Sequence, residues 1–213
     1  MHSPLESALY ETARLRLRPW RDEDRLPYAA LNADPEVREY FPGVLDFAGS
    51  EAERERIQAR IEQQGWGFWA VELKETGAFI GFTGLNASEG LPCSPCVEIG
   101  WRLARVYWGK GYASEAAREA LRIGFEQLAL DKIVAFTALS NQRSRAVMER
   151  LGMRNTRKTS IIPVSLLATP CAGTACTGSP MRTGSAPDLE RFTRPASCRP
   201  FLCPRWSDAR SPR

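Results

Sequence analysis

A glycine-containing turn between an apolar strand and a helix constrains this chain more than any other feature. The turn, Trp108 to Ala113, follows the alternating segment Val97 to Leu103 and precedes the amphipathic segment Ser114 to Leu128. Glycine lets the backbone approach a ligand closely, and the first turn of a helix offers unpaired N–H groups at the positive end of its dipole. The turn therefore predicts a site for an anion such as a pyrophosphate.

Length and composition indicate one ordinary domain. The chain has 213 residues, of which 43% are hydrophobic, enough for a real core. It contains no apolar run of the ~20 residues that a membrane span needs, and no signal-peptide pattern at the N-terminus. We expect a cytoplasmic protein with no membrane partner.

The early part of the chain favours helices. Asp22 to Asn32 has an acidic first turn, Asp34 to Val37 resembles the start of a short second helix, and Ser50 to Gln64 opens with a capping box made by Ser50 and Glu53. From Gly67 onward the period changes to that of strands. The predicted strands are 14–18, 68–73, 78–85, 97–103 and 132–139, and a last helix is predicted from Gln142 to Leu151, stopped by Gly152.

Taken together, the turn, its flanking strand and helix, strand 132–139 and the segment Asn141 to Met153 resemble the GNAT acetyltransferases over roughly residues 11–155. The resemblance implies an α/β (α+β) fold: a central mixed, twisted sheet flanked by helices, with two parallel strands splayed apart at an acetyl-CoA cleft. It also implies acetyl-CoA as cosubstrate and an amine as acceptor.

The family binds the pyrophosphate with the pattern Gln/Arg-x-x-Gly-x-Gly/Ala, in which Gly111 and Ala113 fill the last two places. Trp108 stands at the Gln/Arg place, a minor departure because backbone amides do most of the anion binding. A backbone N–H near Trp101 to Leu103 would polarise the thioester carbonyl. The cofactor-binding residues implied are Trp101, Leu103, Trp108, Gly109, Lys110, Gly111, Tyr112, Ala113 and Asn141.

The closest resemblance is to the branch of ribosomal-protein N-terminal acetyltransferases. Many other GNAT enzymes have a catalytic tyrosine where Met148 stands, whereas this branch assigns the acid role to a serine at the position of Ser144 and the base role to a glutamate that maps onto Glu98. The resemblance implies direct attack of a primary amine, on a protein N-terminus or a small molecule, within a ternary complex. From the residues alone, Glu98 is equally a solvent-facing strand residue and Ser144 a helix first-turn residue.

The cysteines do not form a recognisable metal site. Cys93 and Cys96 have the spacing of half a zinc site, but the only histidine is His2, at the chain terminus. We expect no metal, and we expect Cys93 and Cys96 to lie in a loop as two reduced thiols without a catalytic role.

Periodicity ends after Asn155. Residues 157–213 contain eight of the fifteen prolines, and nine Lys and Arg against three Asp and Glu, so the net charge of +4 belongs to this tail. We therefore predict a GNAT domain at 1–156, with its C-terminal strands missing, and a basic tail of low order at 157–213.

The tail has the character of a shifted reading frame. Read one nucleotide earlier, the codons for Thr159 to Pro163 admit the Asp-Phe-Asp-His-Pro run that relatives carry after the equivalent of Met153, and the same shift at Ala168 to Ser179 admits a second run of that branch. The alternative is a genuine disordered tail.

Two other functions are compatible with the sequence. One is an inactive GNAT remnant that at most binds CoA, since a shifted frame would remove part of the core. The other is a nucleic-acid-binding protein that uses the basic tail. Interleaved Pro and Cys and the lack of a stacking motif argue against nucleic acid as a partner.

Overall fold

A computed structural model of the chain describes residues 9–88 and 95–155, and the backbone of 160–161 and 197–204. The strands are β1 (Tyr10–Glu11), β2 (Leu15–Arg18), β3 (Phe68–Leu73), β4 (Phe79–Ser88), β5 (Cys96–Leu103), β6 (Lys132–Ala138), β7 (Arg154–Asn155), β8 (Ser160–Ile161) and β9 (Ser197–Pro204). The helices are α1 (Arg25–Ala33), α2 (Phe47–Gln64), α3 (Tyr112–Arg122) and α4 (Gln142–Arg150).

The strands form one mixed sheet in the order β1-β2-β3-β4-β5-β6-β9-β7, with β8 also paired to β9. Strands β1 to β5 form an antiparallel meander, whereas β5 and β6 are parallel because α3 connects them as a crossover. The predicted mixed sheet flanked by helices is confirmed.

Helices cover both faces of the sheet and create two hydrophobic cores. One core lies between the sheet and α3, and also takes in Met148 of α4. The other lies between the sheet and the layer of α1 and α2. Strand β5 contributes to both because its side chains alternate: Ile99 and Leu103 enter the α3 core, whereas Gly100 and Arg102 face Phe68 and Phe82 of the second core.

Three predicted helix boundaries are corrected by the structure. Asp46, not Ser50, caps α2 by accepting a hydrogen bond from the Gly49 N–H at 2.7 Å, so the helix begins at Phe47. The segment predicted as a helix from Asp34 is a run of turns, because the Asp34 side chain accepts the Glu36 N–H. The helix predicted through Leu128 is α-helical only to Arg122 and continues as a π-helical turn.

The structure describes a strand, β9, beyond the predicted boundary at residue 156, whereas the division of the chain into a domain and a tail stays a prediction. β9 pairs antiparallel along the whole of β6, from Lys132 with Pro204 to Ala138 with Cys198. This pairing satisfies the backbone groups of β6 that would otherwise form an open edge. Prolines argue against a strand, but Pro200 falls between the positions of β9 that pair with β7 and β8. The two segments whose codons admit the shifted runs, 159–163 and 168–179, lie outside the described residues except for the backbone of 160–161.

Cys96 differs from its expected state as well. It is disulfide-bonded, whereas Cys93 lies outside the described residues. Spacing along the chain does not tell which thiols meet in space, and for this reason the prediction of a free thiol at Cys96 was wrong.

A test of the sheet uses Gly84 of β4. Its φ is +155°, and an added Cβ would lie 1.9 Å from the Gly67 carbonyl oxygen. We expect Gly84→Ala to lower the free energy of unfolding by about 3 kcal/mol or more, because backbone atoms must move. Gly77→Ala is the matched control: its φ is +70° but nothing lies within 4 Å of the added Cβ, so the loss is about 1 to 2 kcal/mol. Equal losses in urea unfolding would contradict this account.

Candidate active site

The parallel strands β5 and β6 diverge and open a cleft. Among the described residues, their register contains one pair, Glu98 with Val134, so the part of β5 from Ile99 to Leu103 has no β6 partner. The glycine turn follows β5 and α4 follows β6. The open end of the cleft therefore lies between the turn and the N-terminus of α4.

The turn presents an uncapped helix N-terminus. Gly109 and Gly111 both have left-handed φ, +74° and +82°, and Gly111 is the N-cap of α3. No side chain caps this helix. The N–H groups of its first turn are thus available to an anion, as the pyrophosphate of acetyl-CoA requires. The geometry fits the predicted cofactor site.

A carboxylate in the first turn of α3 holds this turn in place. Glu115 Oε1 accepts hydrogen bonds from the Arg14 backbone N–H at 2.8 Å and the Thr12 hydroxyl at 2.6 Å, and Oε2 accepts from Arg14 Nε at 2.7 Å. Arg14 Nη1 then donates to the Lys110 carbonyl oxygen at 3.0 Å. Burial opposes the charge, but these hydrogen bonds outweigh it and lower the pKa of Glu115. The turn is anchored to the segment that joins β1 and β2.

Trp108, the departure from the family pattern, has a structural role. Its indole N–H donates to the Leu103 carbonyl oxygen at 2.7 Å, which links the turn to the end of β5. The guanidinium of Arg143, on α4, lies 4.6 Å from the ring centroid and also bonds Glu39 at 2.6 Å. The side chain therefore joins the two rims of the cleft instead of presenting a charge.

Glu98 lies where the two strands separate. Its Oε1 accepts a hydrogen bond from Asn86 Nδ2 at 3.0 Å, and Asn86 in turn accepts from Arg60 of α2. Burial raises the pKa of Glu98 above its usual value, although hydrogen bonds from Asn86 and Ser88 oppose the shift. A carboxylate with a raised pKa in a cleft is suited to general base chemistry.

The N-terminus of α4 forms the opposite rim. Asn141 caps the helix by accepting the Ser144 backbone N–H at 3.0 Å, so the Ser144 hydroxyl is not part of the cap. Met148, where other family members have a tyrosine, is 1% exposed in the core. Ser144, in contrast, is only partly buried, so its hydroxyl lies near the surface.

The remaining predicted cofactor-binding residues have different surroundings. Side chains of Trp101 and Leu103 pack in the α3 core, and both residues lie on the part of β5 that has no β6 partner. The Tyr112 ring lies 4.5 Å under the Arg14 guanidinium, and Ala113 packs against the same core. Arg14 and Glu115 are 101 residues apart and share no motif, so the sequence does not predict that they hold the glycine turn.

Two kinds of site are absent from the described part of the chain. It has no cluster of three or more His, Cys, Asp or Glu side chains that could hold a metal ion. Nor does any helix there have the length and apolar character needed to cross a membrane.

Comparisons with known proteins agree with this geometry. Residues 14–154 match the acetyltransferase (GNAT) domain family. The uncharacterized protein YkkB of Bacillus subtilis is 34% identical over 143 residues, which cover 67% of this chain and 83% of YkkB. An FsC-acetyl coenzyme A-N(2)-transacetylase of Aspergillus fumigatus is 35% identical over 150 residues, covering 67% of this chain and 63% of that one.

The fold is shared with solved structures. A GNAT-family acetyltransferase from Bacillus anthracis superposes with a TM-score of 0.69 at 22% identity, covering 93% of this chain and 99% of the other. The family match spans well over half of the chain and includes the glycine turn, Glu98 and Ser144. This chain therefore belongs to the GNAT acetyltransferase family and is an acyltransferase.

Proposed function

We propose that the chain transfers the acetyl group of acetyl-CoA to a primary amine by direct attack within a ternary complex. The observation that carries this proposal is the uncapped N-terminus of α3, which lies at the mouth of the splayed β5–β6 pair. Strand β5 of that pair also carries the carboxylate of Glu98. In this proposal the helix N-terminus would receive the pyrophosphate of the cofactor, and Glu98 would act as the base.

The turn would hold acetyl-CoA by its pyrophosphate. Backbone N–H groups from Gly109 to Ala113 are the donors in this proposal, and Lys110 adds a nearby positive charge. Asn141, at the opposite rim, would contact the pantetheine arm. With the cofactor bound, its thioester lies along the unpaired part of β5, and N–H groups from Trp101 to Leu103 stabilise the oxyanion.

Glu98 would activate the acceptor. At neutral pH an amine is mostly an ammonium ion, so a proton must leave before attack. Glu98 takes this proton, directly or through water, and the free amine attacks the carbonyl carbon. Support comes from the raised pKa of Glu98, which brings it closer to the pH at which the enzyme works.

Ser144 would protonate the departing thiolate of CoA. Its position at the start of α4, together with the buried Met148, supports the mechanism of the ribosomal-protein N-terminal acetyltransferases. The acceptor in this reading is a protein N-terminus or a small amine. Thiol release from acetyl-CoA with a panel of primary amines tests the proposal; a chain that binds CoA but acetylates no amine would refute it.

The pH dependence of Glu98 gives one prediction. Because its pKa is raised, the basic form accumulates only as the pH rises through that value, so kcat/KM falls on the acid side. Glu98→Gln should lose about 100-fold in kcat/KM and should also lose this acid limb. The control Glu126→Gln removes an exposed carboxylate on the π-helical turn and should leave the profile intact. An unchanged acid limb in Glu98→Gln would exclude Glu98 as the base.

Ser144 gives a second prediction. Ser144→Ala keeps the backbone N–H that binds Asn141, so the melting temperature should not change. We expect kcat to fall about 100-fold because the thiolate leaves without its acid. Ser140→Ala, at the same end of α4, is the control for local disturbance. If both variants retain full kcat, Ser144 is only a helix residue.

Glu115 tests the anchoring of the turn. Glu115→Gln weakens the bond to Arg14 that fixes the Lys110 carbonyl, so KM for acetyl-CoA should rise about fivefold, or about 1 kcal/mol, with little change in kcat. Glu119→Gln breaks an ion pair with Arg122 on the same helix, away from the turn, and is the matched control. Similar KM values for the two variants would show that the turn does not depend on this anchor.

A further inference from the structure

Two buried arginines share one carboxylate beside the cleft. Arg38 and Arg102 are only 5% and 9% exposed. Arg102 Nη1 donates to Glu53 Oε2 at 2.9 Å, whereas Arg38 Nη1 lies 3.9 Å from the same oxygen, too far for a hydrogen bond. Glu53 therefore satisfies one arginine and only faces the other.

The charges of this cluster do not balance. Arg102 and Arg38 attract the charged form of Glu53 strongly enough to lower its pKa despite burial, so Glu53 is ionised at neutral pH. Tyr28 donates its hydroxyl to Glu53, and burial raises the pKa of that phenol, so it stays neutral. Asn32, the other close partner, is neutral too. Two positive charges thus face one negative charge, and an unmatched buried charge is destabilising.

The same two arginines have donors without acceptors. Arg38 Nη1 and Arg102 Nε are buried and have no hydrogen-bond partner among the described residues. The Phe41 ring lies over both guanidinium groups, 5.0 Å from Arg38 and 4.3 Å from Arg102. A ring occupies the face of a guanidinium and leaves its in-plane N–H groups free for an oxyanion. The cluster has the charge and the donors for one more acidic group.

The cluster lies on the acceptor side of the cleft. Arg102 and Glu98 are on the same face of β5 with Gly100 between them, so their Cα atoms are about 13 Å apart. The loop that carries Arg38 and Phe41 reaches the other rim, where Tyr40 donates to the Ser140 carbonyl oxygen at 3.3 Å and Glu39 bonds Arg143. The contacts of Glu39 and Tyr40 are exposed and stabilise weakly, so these two side chains can move aside to admit a ligand while Val37 and Arg38 stay buried.

From this arrangement we infer that the amine acceptor also carries a carboxylate, which Arg38 and Arg102 bind together while the amine lies at Glu98. The inference rests on the proposed acetyl transfer and names its substrate class. The spacing on β5 favours an amine and a carboxylate separated by several bonds, as in a long-chain amino acid or a dipeptide. The carboxylate would supply the missing negative charge and accept from the unpartnered donors.

Turnover of matched acceptors tests the inference. We expect 6-aminohexanoate and alanylalanine to be acetylated with kcat/KM at least tenfold higher than 6-aminohexanamide and alanylalaninamide, mainly through a lower KM. Arg38→Gln should abolish this preference, so that acids and amides have kcat/KM values within twofold of each other in the variant. Arg38→Lys should retain part of it. Equal rates for acids and amides would overturn the inference while leaving acetyl transfer intact.

The control variant is Arg25→Gln. It removes one positive charge from the same helical layer, where Arg25 pairs with Glu51 and lies over Phe47, away from β5. The preference for carboxylates should persist in this variant. Arg38 is chosen over Arg102 because the loss of Arg102 leaves Glu53 without its hydrogen-bonded cation. Urea unfolding checks that each variant folds.

A binding measurement does not depend on turnover. In the presence of CoA, the products 6-acetamidohexanoate and 6-acetamidohexanamide differ only in the acid group. We expect the acid to raise the melting temperature of the original chain but not of Arg38→Gln, and the amide to raise neither. If the acid binds both proteins equally, Arg38 does not hold it. If the acid binds through Arg38 but no amine is acetylated, the anion site stands and acetyl transfer is refuted.

Discussion

The separation of β5 from β6 is the constraint on which the rest of the site depends. Parallel strands normally share a continuous ladder, and here a single register pair at Glu98 marks the end of it. Beyond that pair, backbone groups of β5 lose their neighbour and face a space that a ligand can fill. Glu98, the glycine turn and α4 are all positioned by the chain's path around this gap.

Keeping the gap open requires that both rims be fixed from outside it. On one rim, Glu115 connects α3 to the start of the sheet through Arg14 and Thr12. On the other rim, Asn141 follows β6 and caps the N-terminus of α4. These hydrogen bonds lie outside the cleft, so a ligand can enter without displacing them; the contact that joins the two rims is that of the Arg143 guanidinium with the Trp108 ring.

Local patterns in the sequence were sufficient for most of the fold and for the cofactor turn. Alternation predicted β3, β4, β5 and β6, and the closely spaced glycines at 109 and 111 predicted a turn before a helix. The sequence could not supply pairings between distant residues: Arg14 with Glu115, or Arg102 with Glu53. Nor could the sequence predict the pairing of 197–204 with β6, because prolines in a segment argue against a strand.

Trp108 and Arg143 connect the two proposed ligand positions physically. The indole belongs to the glycine turn, the guanidinium above it belongs to α4, and the same guanidinium binds Glu39 of the loop that carries Arg38. Any ligand that shifts this loop changes the surroundings of Trp108, and the reverse is equally true. Thermodynamic linkage then requires that the affinities for cofactor and acceptor alter each other by the same factor.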